Sequence, residues 1–495
     1  MVIKAKNMVL IGLGMAAGIA GSLQYSALAQ KIAGAPLPLA QLRQLSDVFG
    51  LIKSDYVEPV EGKKLLSEAI AGMVASLDPH SVYLDKKSYA EMRESMLGKF
   101  VGIGIEVGME DGYLKVVAPI EDSPAARAGI QAGDLITRLD RFPMRGLSLD
   151  DAIKKMRGEP KSKITLTIAR KGEEQPLLLT IVREEIRMQS VKAKMIAPGY
   201  AWLRIAQFQA PTLADMASKI NALYLEDPQL KGLVLDLRND PGGVLQGAVG
   251  VAAAFLPKDA AIVSTNGQLP NSKQIFYGRR EFYEGLTRGD ALANLPAALK
   301  TVPLVVLVNA GSASASEIVA GALQDYKRAT IIGTQTFGKG SVQTLRQLTP
   351  DTAIKLTTAR YYTPHGRSIQ ARGIVPDLMV DETADGDGLN SLRIREADLQ
   401  NHLGTDKERR PEAVAKKIDA QPGAPAAQPK KVARLIYGSS DDFQLAQALN
   451  HFRGLPVTLS KVVATPEKKD DGSALEAAPQ VKSDAPSSAV TPVGK

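Results

Sequence analysis

The chain has 495 residues, 44% of them hydrophobic, which is too long for one ordinary domain and enough to bury at least two cores. Its formal charge of +8 comes with only 5% aromatic residues and with scattered Lys and Arg, so neither a base-stacking platform nor a basic stripe for nucleic acid is formed. Cysteine is absent, which excludes thiol nucleophiles, thiolate metal sites and disulfides and leaves oxygen and nitrogen groups to carry any chemistry.

Lys4 and Lys6 precede an apolar run from Met8 to about Ala20, and Ala27-Leu28-Ala29 supplies small residues for a signal peptidase. Residues 1–29 therefore read as a signal peptide, and the protein as exported to the periplasm or cell envelope. An uncleaved N-terminal membrane anchor is the alternative, since the run is only slightly short for a spanning helix. In residues 30–97 the spacing of Leu39, Leu42, Leu45, Val48, Phe49 and Ile52 predicts a helix, followed by a second over 64–77 and a third over 89–97. Helices this short need a partner surface, as a cap or an oligomerisation arm, which points to a homo-oligomer.

Residues 98–185 change to strand patterns. Gly102 to Val107 alternates small and branched residues, Asp111-Gly112 predicts a hairpin turn before 113–117, and Ser123 to Gly129 reads as a short capped helix. Strands over 163–169 and 177–182 complete a compact mixed unit. Residues 186–380 alternate strands (201–205, 232–237, 304–309, 330–333) with helices (212–225, 244–255, 315–326), close with a strand at 353–362, and predict an α/β core with a largely parallel sheet and flanking helices. In 381–465 one docked helix is expected over 442–454, with Phe443, Ala446, Leu449 and Phe452 on its inner face. Residues 466–495, rich in Pro, Ala, Ser, Lys and Asp, read as a disordered tail.

The four histidines (His80, His365, His402, His451) assemble no Ser-His-Asp triad beside a serine elbow, no Gly-x-Ser-x-Gly occurs, and there is no His-Glu-x-x-His helix. His365 lies in a turn that suits a structural or surface role. Gly333 to Lys339 matches a phosphate-binding loop until Gly340, which lacks the hydroxyl that would hold magnesium, and a strand rather than a helix follows. Asn309 to Ile318 joins an apolar strand to a helix through Ser312, Ser314 and Ser316. A hydroxyl at that junction sits beside backbone N–H groups suited to an oxyanion, although Ser312 with Glu317 reads equally as a helix cap. Lys339 serves as a base only if burial lowers its pKa. A surface lysine on a Gly-rich turn is the equal alternative.

The segments Gly311-Ser312-Ala313-Ser314-Ala315-Ser316-Glu317-Ile318 and Thr336-Phe337-Gly338-Lys339-Gly340-Ser341-Val342-Gln343 resemble the signature of the carboxyl-terminal processing proteases. The resemblance runs from about Val48 to Val380 and takes in Ser76 to Ser81, Asp236 to Gly243, Ala320 to Asp325 and Gly373 to Asp377; residues 98–185 within it resemble a PDZ domain. It implies a Ser-Lys dyad of Ser314 and Lys339 assisted by Gln343, an oxyanion hole from the backbone of Ala315 with Gly242 or Gly243, and no metal or organic cofactor. It also implies that the loop Val101, Gly102, Ile103 and Gly104 receives the C-termini of protein or peptide substrates, with an adaptor or activator protein as a further partner. Val101-Gly102-Ile103-Gly104 departs from the commoner form of that loop, and Asp240 stands where Asn is frequent. A catalytically silent PDZ scaffold of the cell envelope is the non-enzyme alternative.

Overall fold

The computed structural model describes residues 38–404 and 436–460, apart from 111, 121, 287–288 and 387–393. The signal segment and the tail expected from sequence lie outside the described residues. The chain divides into two compact units, residues 1–91 with 343–357 and residues 92–342 with 358–495. The stretch 343–357, which lies inside 186–380 in sequence, thus groups with the N-terminal residues.

In the first unit the helices Leu39–Asp55 and Gly62–Ala75 follow the predicted periodicity. The first has no buried residue: Leu39, Leu42, Leu45, Val48 and Leu51 are all exposed. The short strand Val82–Leu84 pairs antiparallel with 353–355, and the turn before it is held by the Asp78 carboxylate, which accepts the backbone N–H groups of His80 and Ser81 at 2.9 and 3.0 Å.

In the second unit, Ile105–Glu110, Tyr113–Pro119, Leu135–Leu139, Lys163–Ala169 and Leu177–Val182 form an antiparallel sheet in that order. Leu114, Val116, Ile136, Leu166 and Ile168 fill its core. The helix Leu149–Met156, capped by Ser148, closes this core yet is unpredicted, because it is little more than two turns long and buries only Ala152 and Met156.

The larger sheet runs Val191–Ala197, Tyr200–Ile205, Gly232–Asp236, Leu304–Val308, Thr330–Gly333 and Leu378–Met379, parallel throughout except at its first pair. Both faces are covered, so its central strands read as unbroken apolar runs. Leu203, Leu235 and Val306 face the helices Thr212–Glu226, Leu245–Phe255 and Ala315–Asp325, while Trp202, Val234, Val305 and Leu307 face a C-terminal helix, Phe443–Phe452.

That C-terminal helix brings Phe443 and Phe452 of the expected face against the core, but its most buried residues lie beside that face. Leu445 and Ala448 are buried, whereas Ala446 and Leu449 are half-buried. Polar anchors set its rotation. All five N–H groups of the fully buried Arg238 are used: two meet Asp236 (2.9 and 2.6 Å), two meet the N-cap residue Asp442 (2.7 and 2.6 Å), and one meets Gln444 at 3.1 Å. Tyr437 lies over the guanidinium groups of both Arg204 and Arg238, 4.3 and 4.4 Å from its ring centre. Removing one carboxylate leaves an uncompensated buried cation, so Asp442→Ala should destabilise this unit by about 3–5 kcal/mol. Trp202, the one tryptophan of the chain, donates its Nε1–H to Asp236 and gives the readout by fluorescence during urea unfolding. A loss below about 1 kcal/mol would show that the helix is not anchored by this pair.

Candidate active site

Three parallel strands deliver three loops at their carboxyl ends, where open α/β sheets place reactive groups. Residues 237–243 follow Gly232–Asp236, residues 309–314 follow Leu304–Val308, and residues 334–340 follow Thr330–Gly333. The first two strands are buried along their full length and the third from Ile331 onward, which fixes where each loop begins.

The three serines of the second loop have different fates. Ser312 donates to the Leu237 carbonyl at 2.8 Å and Ser316 to the Asp240 carbonyl at 2.9 Å, and both side chains are fully buried. Ser314 is half-buried at the N-terminus of Ala315–Asp325, with φ 58° and ψ −113°, a backbone region costly for a side-chain-bearing residue. The buried phenol of Tyr361 donates to the Lys339 carbonyl. Gly242, at φ +92°, presses so closely that a Cβ there would lie 2.7 Å from the Ser314 Cβ and 2.6 Å from the Ala313 carbonyl oxygen.

The N–H of Gly242 donates to Asp240 Oδ1 at 2.8 Å, whereas the N–H groups of Ala315 and Gly243 donate to no described residue. Asp240 is buried, its Oδ2 has no hydrogen-bond partner among the described residues, and burial pushes its carboxyl well above the usual carboxylate range.

One side chain ties the serine loop to the lysine loop. The fully buried Glu317 accepts Ser314 N–H at 2.8 Å and Lys339 N–H at 2.9 Å on one oxygen, and Gly338 N–H at 2.7 Å and the Thr336 hydroxyl at 2.5 Å on the other. Burial raises its carboxyl to about 7, against the pull of those four bonds. The cap expected between Ser312 and Glu317 therefore lies two residues on, at Ser314. Glu317 also fills the space that the Gly333 to Gly340 loop would offer a phosphate, since Gly338 and Lys339 direct their N–H groups at this internal anion.

Lys339 is half-buried. Gln343, in the first unit, donates its Nε2–H to the Thr357 hydroxyl at 3.2 Å. Of the loop expected to bind peptide termini, Val101 and Gly102 pair with Glu185 and Glu184, Ile103 is buried, and the Gly104 carbonyl accepts from the Ser123 hydroxyl at 2.9 Å. Gly104 has φ +78°, and a Cβ there would lie 2.3 Å from the Ser123 Cβ. His365 is exposed, with its N–H bonded to Asp325.

The sequence matches peptidase family S41 over residues 199–380, the N-terminal domain of the activating protease CtpB over 18–88 and a PDZ domain over 115–170. A carboxy-terminal-processing protease of Bartonella bacilliformis is 42% identical over 417 residues, covering 84% of this chain and 88% of that protein. The chain belongs to this family of carboxy-terminal-processing serine proteases.

A probable CtpA-like serine protease of Staphylococcus aureus is 36% identical to the protease over 376 residues, 75% of this chain and 72% of the other. A solved structure, a photosystem II D1 C-terminal processing protease, aligns at 30% identity and TM-score 0.38 over 66% of this chain and 84% of that one. In the protease, sequence reasoning took Glu317 for a helix cap and passed over Tyr361 and Thr336. The available signal was Glu317, the one carboxylate in the stretch 315–323, whose nine residues are all buried.

Proposed function

We propose that the protease is an endopeptidase in which Ser314 attacks the scissile carbonyl and a neutral Lys339 takes its proton, with Gln343 orienting the amine. The oxyanion rests on the N–H groups of Ala315 and Gly243, with Gly242 the sequence alternative to Gly243. The protonated lysine then gives its proton to the leaving amine, an acyl-enzyme forms, and water hydrolyses it to regenerate Ser314. The observation that carries this reading is that Ser314 alone of the three serines keeps its hydroxyl off a backbone carbonyl, on a strained N-terminus that shares one carboxylate with Lys339.

Substrates are protein chains with accessible C-termini. The strand Ile105–Glu110 ends its sheet, and a terminal segment adds to such an edge by backbone pairing while its carboxylate meets the loop at Val101 to Gly104. Export rests on Lys4, Lys6 and the apolar run after them, and self-association on the exposed row from Leu39 to Leu51. The test is cleavage of an unstructured protein with an apolar C-terminal tail by purified residues 30–495, together with a serine-directed covalent probe. Cleavage with an adduct mapped by mass spectrometry to Ser314, absent from Lys339→Ala, is expected. Cleavage that persists in Ser314→Ala would refute it.

A further inference from the structure

The motif Asp78-Pro79-His80-Ser81 has no part in the mechanism above, yet it meets Gln343 through one intermediary inside the first unit. Thr357 donates its hydroxyl to Asp78 Oδ1 at 3.0 Å, and the Thr357 hydroxyl oxygen accepts Gln343 Nε2–H at 3.2 Å. Ser81 completes the cluster, donating its hydroxyl to Asp78 Oδ2 at 2.7 Å and accepting the Thr357 N–H at 3.1 Å. Asp78 and Ser81 are buried.

The polarity of this chain follows from the donor inventory. An ionised carboxylate only accepts, so the one Thr357 hydroxyl proton must go to Asp78. The Thr357 oxygen then accepts: the Ser81 hydroxyl reaches it only at 3.4 Å and gives its proton to Asp78 Oδ2 at 2.7 Å, so the nearer donor, the amide nitrogen prong of Gln343 at 3.2 Å, takes the lone pair. The oxygen prong is thereby turned away from Thr357, and the otherwise ambiguous amide is assigned by its network. Asp78 stays ionised: burial pushes its carboxyl up, but the bonds from Ser81, His80 and Thr357 outweigh burial and hold it below the usual range.

We infer that Asp78 and Thr357 are positioning residues that lock the Gln343 amide with its oxygen presented as an acceptor for a protonated or neutral amine. The inference rests on the reading that Gln343 orients Lys339. An amide free to flip would present its NH2 group to the lysine half the time and could not hold the amine lone pair on the serine hydroxyl.

The experiment is steady-state cleavage by Thr357→Val, Thr357→Ser, Gln343→Ala and the double variant Thr357→Val/Gln343→Ala. Thr357→Val, which keeps the volume and loses the hydroxyl, should lower kcat by about 10- to 100-fold with KM within about twofold, as misplacement of a catalytic group does. Thr357→Ser should restore the rate, and the double variant should be no slower than Gln343→Ala. Full activity of Thr357→Val, or losses that multiply in the double variant, would overturn the relay. If Thr357→Val does not fold, Gln343→Glu decides: a carboxylate cannot donate to Thr357, so it should be at least as slow as Gln343→Ala, and full activity overturns the relay. Gln343→Ala at the wild-type rate would instead overturn the role of Gln343 itself, which separates the two failures.

Discussion

Ser314→Gly and Ser314→Ala should both lose cleavage, by on the order of 10⁴-fold or more in kcat, and Ser314→Gly should be the more stable of the two by about 1–2 kcal/mol. Both variants lack the hydroxyl, so their difference isolates the backbone. At φ 58° and ψ −113° a Cβ is strained by about 1–3 kcal/mol, and glycine relieves that while giving back roughly 0.5–1 kcal/mol of unfolded-state entropy. The strain persists because Glu317, Gly242 and the helix Ala315–Asp325 over-determine the turn. Urea denaturation of the two inactive variants reads the difference. Equal stability would mean that the serine is not held under strain in solution, and residual activity above that level would remove Ser314 from the mechanism.

Glu317→Gln should lower kcat by roughly 10²- to 10³-fold, because an amide in that pocket points its NH2 prong at donors that need acceptors. The pH dependence carries a sharper signature. Glu317 ionises at about 7 in the folded protein against an ordinary 4.5, so the folded state binds its proton more tightly. The stability linked to this group is fully present below about 4.5 and is lost as pH rises through about 7, up to about 3 kcal/mol. Activity moves the other way. A protonated Glu317 turns one oxygen into a donor, which the Thr336 hydroxyl can accept by reversing, and it weakens the acceptor held by the N–H groups of Ser314, Gly338 and Lys339, so kcat should fall on acidification through pH 7 while this carboxyl stabilises the fold. Tyr361, Arg395 and Glu396 are the other titratable groups in this neighbourhood. In Glu317→Gln the stability difference between pH 5 and pH 8 should shrink by that amount. An unchanged difference would show that Glu317 does not hold its proton more tightly in the folded state.

Much of the architecture was legible because its causes are local. Strands 163–169, 177–182 and 330–333 are where their branched residues and flanking turns put them, and the helix at Leu39–Asp55 follows its spacing. The strands Ala261–Gly267 and Gln274–Tyr277 and the helix Leu149–Met156 were not: the first takes its place by pairing with residues 359–362, the second is a four-residue edge strand on the first, and the helix is only eight residues long. The C-terminal helix was placed correctly and its inner face read in part: Phe443 and Phe452 pack against the core, while the buried Arg238 with Asp442 and Gln444 brings Leu445 and Ala448 further in than Ala446 and Leu449.

By itself the sequence determined the candidate groups Ser314, Lys339 and Gln343 and the order of the domains, because motif spacing and hydrophobic period are properties of the chain. Only the tertiary structure decided which serine keeps its hydroxyl off a backbone carbonyl, that the Gly242 N–H goes to Asp240, and that one carboxylate, Glu317, holds the serine and lysine loops together. Those outcomes depend on hydrogen bonds between residues up to 76 positions apart, and a buried donor or acceptor finds its partner only when the sheet has brought the loops to one edge.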